Sequence, residues 1–167
     1  LYPDIRDSAL MMYPWSFSTK KIQLSRLLTA PGSVWSYAYQ LPGDRLGNPT
    51  AVYESSAVGS PVRKEWEIQG DELLTNLEYV YLDYRYSVGE YAMPQYFVQF
   101  LKYQVAWHIA EAITEQQDKG AYWRRIAIGE PTENGRGGFF RTAAQIDGQG
   151  NPARAISDFT LVDARFG

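Results

Sequence analysis

Between Pro94 and Gln117 the sequence holds its longest run of apolar residues at helical spacing, and every fold open to the chain must bury it. Phe97, Phe100, Leu101, Val105, His108, Ile109, Ala112 and Ile113 recur every three or four positions, which lays them along one stripe of an α-helix. Pro94 suits a first-turn position, where a missing N–H costs no intrahelical bond. Gly120, just past Asp118 and Lys119, reads as a stop. The spacing therefore predicts a helix over about 94–119, a spine for other elements to cover.

A chain of 167 residues, 45% of them apolar, has room for one domain with a sizeable core, and no run is long enough to span a bilayer. With no cysteine and a single histidine, a disulfide scaffold, a cysteine nucleophile, a zinc cluster and a two-histidine metal motif are excluded within this chain. A formal charge of −3 gives no general attraction to nucleic acid or anionic lipid. Thirteen Tyr, five Trp and seven Phe exceed what a core of this size needs, a surplus typical of interfaces.

Ile5, Ala9, Leu10 and Tyr13 share a face of a first helix predicted over 3–13, with Asp4 and Asp7 near the end the helix dipole favours. Pro14 pushes Tyr13 out of the α region, so Pro14-Trp15-Ser16-Phe17 reads as a hydrophobic corner. Over 19–88 the pattern turns to strands. Ile22, Leu24 and Leu28 alternate with Lys21, Gln23 and Ser25, although a short helix through Leu27 fits the same residues. Trp35, Tyr37 and Tyr39 alternate with Ser36 and Ala38, and a short run surrounds Val52 and Tyr53. Glu65 to Thr75 reads as a hairpin, and Tyr79 to Val88 alternates most clearly.

These strands are expected to form one small, largely antiparallel sheet inserted between the first helix and the spine. Helices follow at 121–128 and 138–147, separated by the glycine-rich loop Gly129 to Gly138. The fold class read from the pattern is mainly α with a small antiparallel β insertion (α+β): a helical bundle with a long central helix, an inserted sheet and an extended C-terminal tail. Residues 1–150 form the domain, and 151–167 a docking tail whose apolar residues lack a period.

Candidate chemistry is thin. His108 lies on the apolar stripe with no nucleophile motif beside it and reads as a core histidine. Asp71 and Glu72 fit a solvated turn, and Asp83 with Arg85 fits a cross-strand ion pair better than a glycosidase carboxylate pair. Gly135 to Gly138 lacks the lysine of a phosphate loop. Arg124, Arg125, Arg136, Arg141 and Arg154 make the last third locally basic, which suits ion pairs with the chain's own acids or a neighbouring subunit. No catalytic, cofactor-binding or metal-ligating residue is assigned, no cofactor is expected, and the chain reads as a non-enzyme.

The run Leu1-Tyr2-Pro3-Asp4-Ile5-Arg6-Asp7-Ser8-Ala9-Leu10, then Tyr13-Pro14-Trp15-Ser16-Phe17-Ser18, Leu24, and Tyr39-Gln40-Leu41-Pro42-Gly43-Asp44-Arg45-Leu46 resembles the head-to-tail connector proteins of tailed bacteriophages. The likeness is to the tail tubular protein A group and to related adaptors of long-tailed phages and gene transfer agents. It covers essentially the whole chain by the collinear order of its parts, including Trp66, Glu67, Gly70, Leu74 and Ala143 to Gly150.

On this resemblance Tyr2, Pro3, Arg6, Leu10, Pro14, Trp15, Phe17, Leu24, Leu41, Pro42 and Asp44 are structural motif residues. Ile156, Phe159, Leu161, Val162, Arg165 and Phe166 are candidate portal or subunit contacts. The resemblance implies a homo-oligomeric ring of twelve copies, with the portal protein above and a tail, nozzle or stopper protein below. It implies non-specific passage of double-stranded DNA, no membrane, and a virion location at the head–tail junction after synthesis in the host bacterial cytoplasm. It also implies a further helix upstream of Tyr2 packed on the spine, and a loop at 129–138 longer than the family's usual connection. The competing reading from a different class is a monomeric aromatic-rich module that binds carbohydrate or peptidoglycan, or hydrolyses it, through Trp35 and Trp66.

Overall fold

The structure, a computed structural model, describes residues 1–113 and 117–150. The tail positions Ile156, Phe159, Leu161, Val162, Arg165 and Phe166 lie outside the described residues. The rest is an α+β arrangement of α1 (Tyr2–Met11), β1 (Thr19–Gln23), β2 (Tyr37–Gln40), β3 (Ala51–Tyr53), β4 (Trp66–Gln69), β5 (Glu72–Thr75), β6 (Tyr81–Arg85), α2 (Gln95–Ala112), α3 (Gln117–Ile128) and α4 (Gly138–Gln149).

The first helix buries Ile5, Ala9 and Leu10 and stops at Met11, short of the expected 13. Pro14 then turns the chain, and Trp15 enters the core fully buried. Its indole Nε1 donates to Ala9 O at 3.1 Å, so the one polar atom of a large apolar side chain is satisfied. Rings of Tyr13, Phe97 and Phe140 surround it at 4.9, 5.1 and 6.0 Å between centroids, with Phe100 at 6.1 Å. This corner joins α1, α2 and α4 in one core.

The single expected sheet is two. Strand order is β1-β6-β3 in one and β2-β5-β4 in the other, both antiparallel. Bends in the chain separate them. Leu24 N donates to Val80 O beside β6, and three residues on Leu27 N donates to Ala38 O beside β2. Between β3 and β4, Arg63 N donates to Val52 O before the chain enters the second sheet. Leu24, Val52, Val80, Leu82 and Tyr84 meet Tyr39, Leu41 and Leu73 in a core of their own. The β4–β5 hairpin is as expected, with Gly70 at φ +60° in the first position of a two-residue turn, where a type II′ turn requires glycine.

The predicted 94–119 helix is divided. α2 ends at Ala112 and α3 has begun by Gln117, so the expected stop at Gly120 lies inside a helix. No glycine or proline between Ile113 and Lys119 marks the break in the sequence. Gly120 is buried, and a Cβ there would sit 3.6 Å from Glu111 Cβ. The residue lies where α3 packs on α2 and leaves room for a methyl group at ordinary contact distance; the two helices run antiparallel with Tyr103 stacked on Trp123. Cover over the spine is also partial. Phe97, Phe100 and Leu101 are buried, Val105 and His108 half-buried, and Ile109, Ala112 and Ile113 exposed.

The glycine-rich segment is a tight connection. A 3₁₀ turn at Pro131–Glu133 carries a capping box, Glu133 also accepts from Arg141 Nη2 at 2.9 Å, and Gly137 N closes onto Ile128 O. Gly138 has φ +55°, and a Cβ there would meet Ile126 O at 2.5 Å. α4 then runs past the expected 147 to Gln149.

Gly120→Ala should raise unfolding free energy by about 0.5–1 kcal/mol, since it removes backbone entropy without a clash. Gly138→Ala should lower it by about 1–3 kcal/mol. Urea unfolding curves of both variants check the pair.

Candidate functional site

The sequence-predicted motif residues fall into two cores and the clamps between elements. Leu10, Trp15 and Phe17 come together, with the Phe17 ring 5.0 Å from that of Phe97. Leu24 and Leu41 join the core of the sheets instead. Tyr2, Pro3 and Pro14 are exposed and Pro42 half-buried.

Two charged motif residues work as ties. Arg6 donates from Nε to Asp7 Oδ1 at 2.9 Å, from Nη1 to Glu90 Oε1 at 3.2 Å and from Nη2 to Ser87 Oγ at 3.1 Å. It fastens α1 to the segment after β6. Asp44 accepts from Tyr84 OH at 3.0 Å and from Lys20 Nζ at 3.2 Å, holding the turn after β2 to β6 and β1. Arg85, expected beside Asp83 in an ion pair, instead reaches Met11 O at 2.6 Å, while Asp83 faces Lys21 across the strands at 3.8 Å.

Sequence reasoning missed Asp147. Its carboxylate is 5% exposed, near the end of α4 where the helix dipole disfavours negative charge. Three donors compensate: Ser16 N at 2.9 Å, Ser16 Oγ at 2.7 Å and Tyr96 OH at 2.5 Å. One carboxylate thus pins α4, the Pro14–Phe17 corner and the start of α2. An acid in a last helical turn was the available signal.

Burial, reinforced by the bond to Asp147, pushes the Tyr96 hydroxyl up to about 12. Tyr84 is likewise pushed up to about 12 by burial and by Asp44. Burial also raises Tyr39, whose OH donates to Leu77 O and Glu78 O at 2.7 and 2.6 Å.

The Asp147 group borders an open cleft of about 620 Å³, lined also by Tyr13, Lys20, Lys21 and Asp83. Each carboxylate there is engaged, Asp83 by Lys21 and Asp147 by three donors. Among the described residues no group of His, Asp and Glu could hold a metal ion. His108 is remote in kind, half-buried and stacked on Trp107 at 4.2 Å. Arg125 and Arg141 pair with Glu130 and Glu133, and Arg124 lies over the Trp107 ring.

No family model matches the chain, and no curated protein matches it. Among the described residues no helix is long and apolar enough to cross a membrane. The surface carries large apolar side chains on several elements, two groups of them near the sheets and the α2–α3 pair. Leu28, Val34, Val58 and Val62 project from loops between strands, and Ile109, Ile113 and Tyr122 from the α2–α3 hairpin.

Asp147→Asn should cost about 1–3 kcal/mol of stability, because a carboxylate serving three donors becomes an amide with one acceptor oxygen; chemical denaturation measures it. Alkaline unfolding has a defined sign. Tyr84 and Tyr96 bind their protons more tightly when folded, so their contribution is complete below about pH 10 and lost as pH rises through about 12. Ultraviolet phenolate titration should show Tyr84 and Tyr96, together with the raised Tyr39, ionising with unfolding, and Tyr96→Phe should remove one of the three.

Proposed function

We propose that this chain is a structural head-to-tail connector of a tailed phage, a mainly helical bundle about a long central helix whose copies form a twelve-membered ring beneath the portal. The ring extends the DNA channel and docks the tail, nozzle or stopper protein below. The work is mechanical, without cofactor or catalysis. The observation that carries the reading is the surface. Leu28, Val34 and Val58 are 106%, 90% and 101% exposed on the loops between strands, apolar side chains that a neighbouring copy in a ring would cover.

Two further features support it. The residues that carry the resemblance brace the fold, with Leu10, Trp15 and Phe17 in one core and Leu24 and Leu41 in the other. Stiffness is what a load-bearing ring subunit needs. The mildly acidic balance of −3 suits a conduit, because a lumen lined with Lys and Arg would retain DNA. On this reading the apolar tail 151–167 docks on the portal or on a neighbouring copy.

Native mass analysis of the chain, alone and with the portal protein, is the test. A species of about 230 kDa, twelve times the 19.0 kDa of one chain, is expected, free or stacked on the portal. Deleting 151–167 should abolish portal docking and leave the helical core folded by circular dichroism. A monomer under both conditions overturns the connector reading. Loss of peptidoglycan binding on Trp35→Ala, with unchanged assembly, would instead favour the carbohydrate-binding module.

A further inference from the structure

Each three-stranded sheet has two edges, and two of the four are closed by the chain itself. Leu27 N donates to Ala38 O and Gln40 N to Ser25 O along β2, and Arg63 N donates to Val52 O along β3. β1 and β4 remain. Ser18 O accepts from Tyr86 N and Leu24 N donates to Val80 O, so the alternation of the antiparallel ladder turns even-numbered residues of β1 toward β6. Thr19, Lys21 and Gln23 therefore present N–H and C=O outward, and among the described residues no backbone group meets them. In β4 the two-residue turn makes Gln69 and Glu72 the closing hydrogen-bonded pair, so Trp66 and Ile68 face outward. Trp66 N is taken by Lys64 O, which leaves Trp66 O and both backbone groups of Ile68.

The two open edges differ in charge. β1 carries Lys20 and Lys21, held on its exposed flanks by Asp44 and Tyr86 and by Asp83 and Tyr53. Around β4 stand Glu65 and Glu67, which accept from the Lys64 N–H and the Trp35 Nε1–H, with no cation paired to either among the described residues. Lysines on an edge strand repel a second copy of that strand and leave an acidic edge as the acceptable neighbour.

We infer that β1 of one copy adds antiparallel to β4 of the next, joining the β1-β6-β3 sheet of one subunit to the β2-β5-β4 sheet of its neighbour. In the matching register Thr19 lies opposite Ile68 as a hydrogen-bonded pair and Lys21 opposite Trp66, where Trp66 O accepts from Lys21 N while Trp66 N stays with Lys64 O, which sets Lys20 against Glu67, Ile22 against Glu65 and Gln23 against Lys64. The contact uses two different patches, so it is heterologous and propagates into a ring or an open filament. The inference deepens the ring reading and rests on it for closure.

The chain has no cysteine, so the register is testable by cross-linking. Lys20 and Glu67 would form a non-hydrogen-bonded pair, the closer kind of cross-strand neighbour. Oxidation of the full-length Lys20→Cys/Glu67→Cys variant, alone and with the portal protein, should give a covalent ladder beyond dimer on a non-reducing gel. Neither single variant should. Glu67→Lys should loosen association by about two- to five-fold per interface, and adding Lys20→Glu should restore it. Circular dichroism of each variant controls for folding.

A ring in native mass analysis with no ladder overturns the inference and spares the ring reading. A ladder of open filaments, without a closed ring, upholds the inference and overturns the ring. Absence of both overturns both. Dimers from Lys20→Cys alone would show β1 paired with β1 and overturn the inference, as would amide protection of Lys21 in a dilute monomer.

Discussion

Everything in the helical half depends on burying Trp15. Its ring is the largest fully buried side chain, and its N–H must find an acceptor where water cannot reach. Ala9 O supplies it, which requires the chain to double back on α1 after Pro14. Once the indole is so placed, Phe97, Phe100 and Phe140 can close on its faces and edges, and α2 and α4 have one way to dock. Asp147 then secures from α4 the same corner that Trp15 anchors from within, through Ser16 and Tyr96.

The sheets obey a different constraint. The chain leaves one sheet for the other between Leu24 and Leu27 and again after Arg63, so the six strands divide into two triplets around a shared apolar centre. Charged ties then attach this unit to the helices: Arg6 to Ser87 and Glu90, and Arg85 to the Met11 carbonyl. The chain closes the edges it can reach by its own bends, and what remains open is one basic and one acidic strand. Short strands and charged side chains protect such edges from indiscriminate pairing.

Much of this was legible in the residues. Helix and strand types followed from periodicity at almost every segment, since burial of one face imposes a period of 3.6 or 2. The hairpin around Gly70 and the Trp15 corner were readable because glycine and proline act locally. The break near Ile113 was not, because no glycine or proline stands there to forbid a helix; the one sign in the residues was the run 114–120, which carries no apolar side chain. The Asp147 tie was hidden for a related reason. A lone aspartate near a helix end has no partner within reach in sequence, and its donors come from more than fifty residues away.

The sequence by itself determined which segments are helical or extended, where glycine and proline turn the chain around Pro14 and Gly70, and which chemistries the lack of cysteine and the single histidine rule out. These are properties of individual residues and their near neighbours. Only the tertiary structure decided that the strands form two sheets, that Gly120 lies inside a helix, and which edges stay open. Those outcomes depend on which distant surfaces meet, and a contact between residues far apart in the chain leaves no mark on the spacing of either partner.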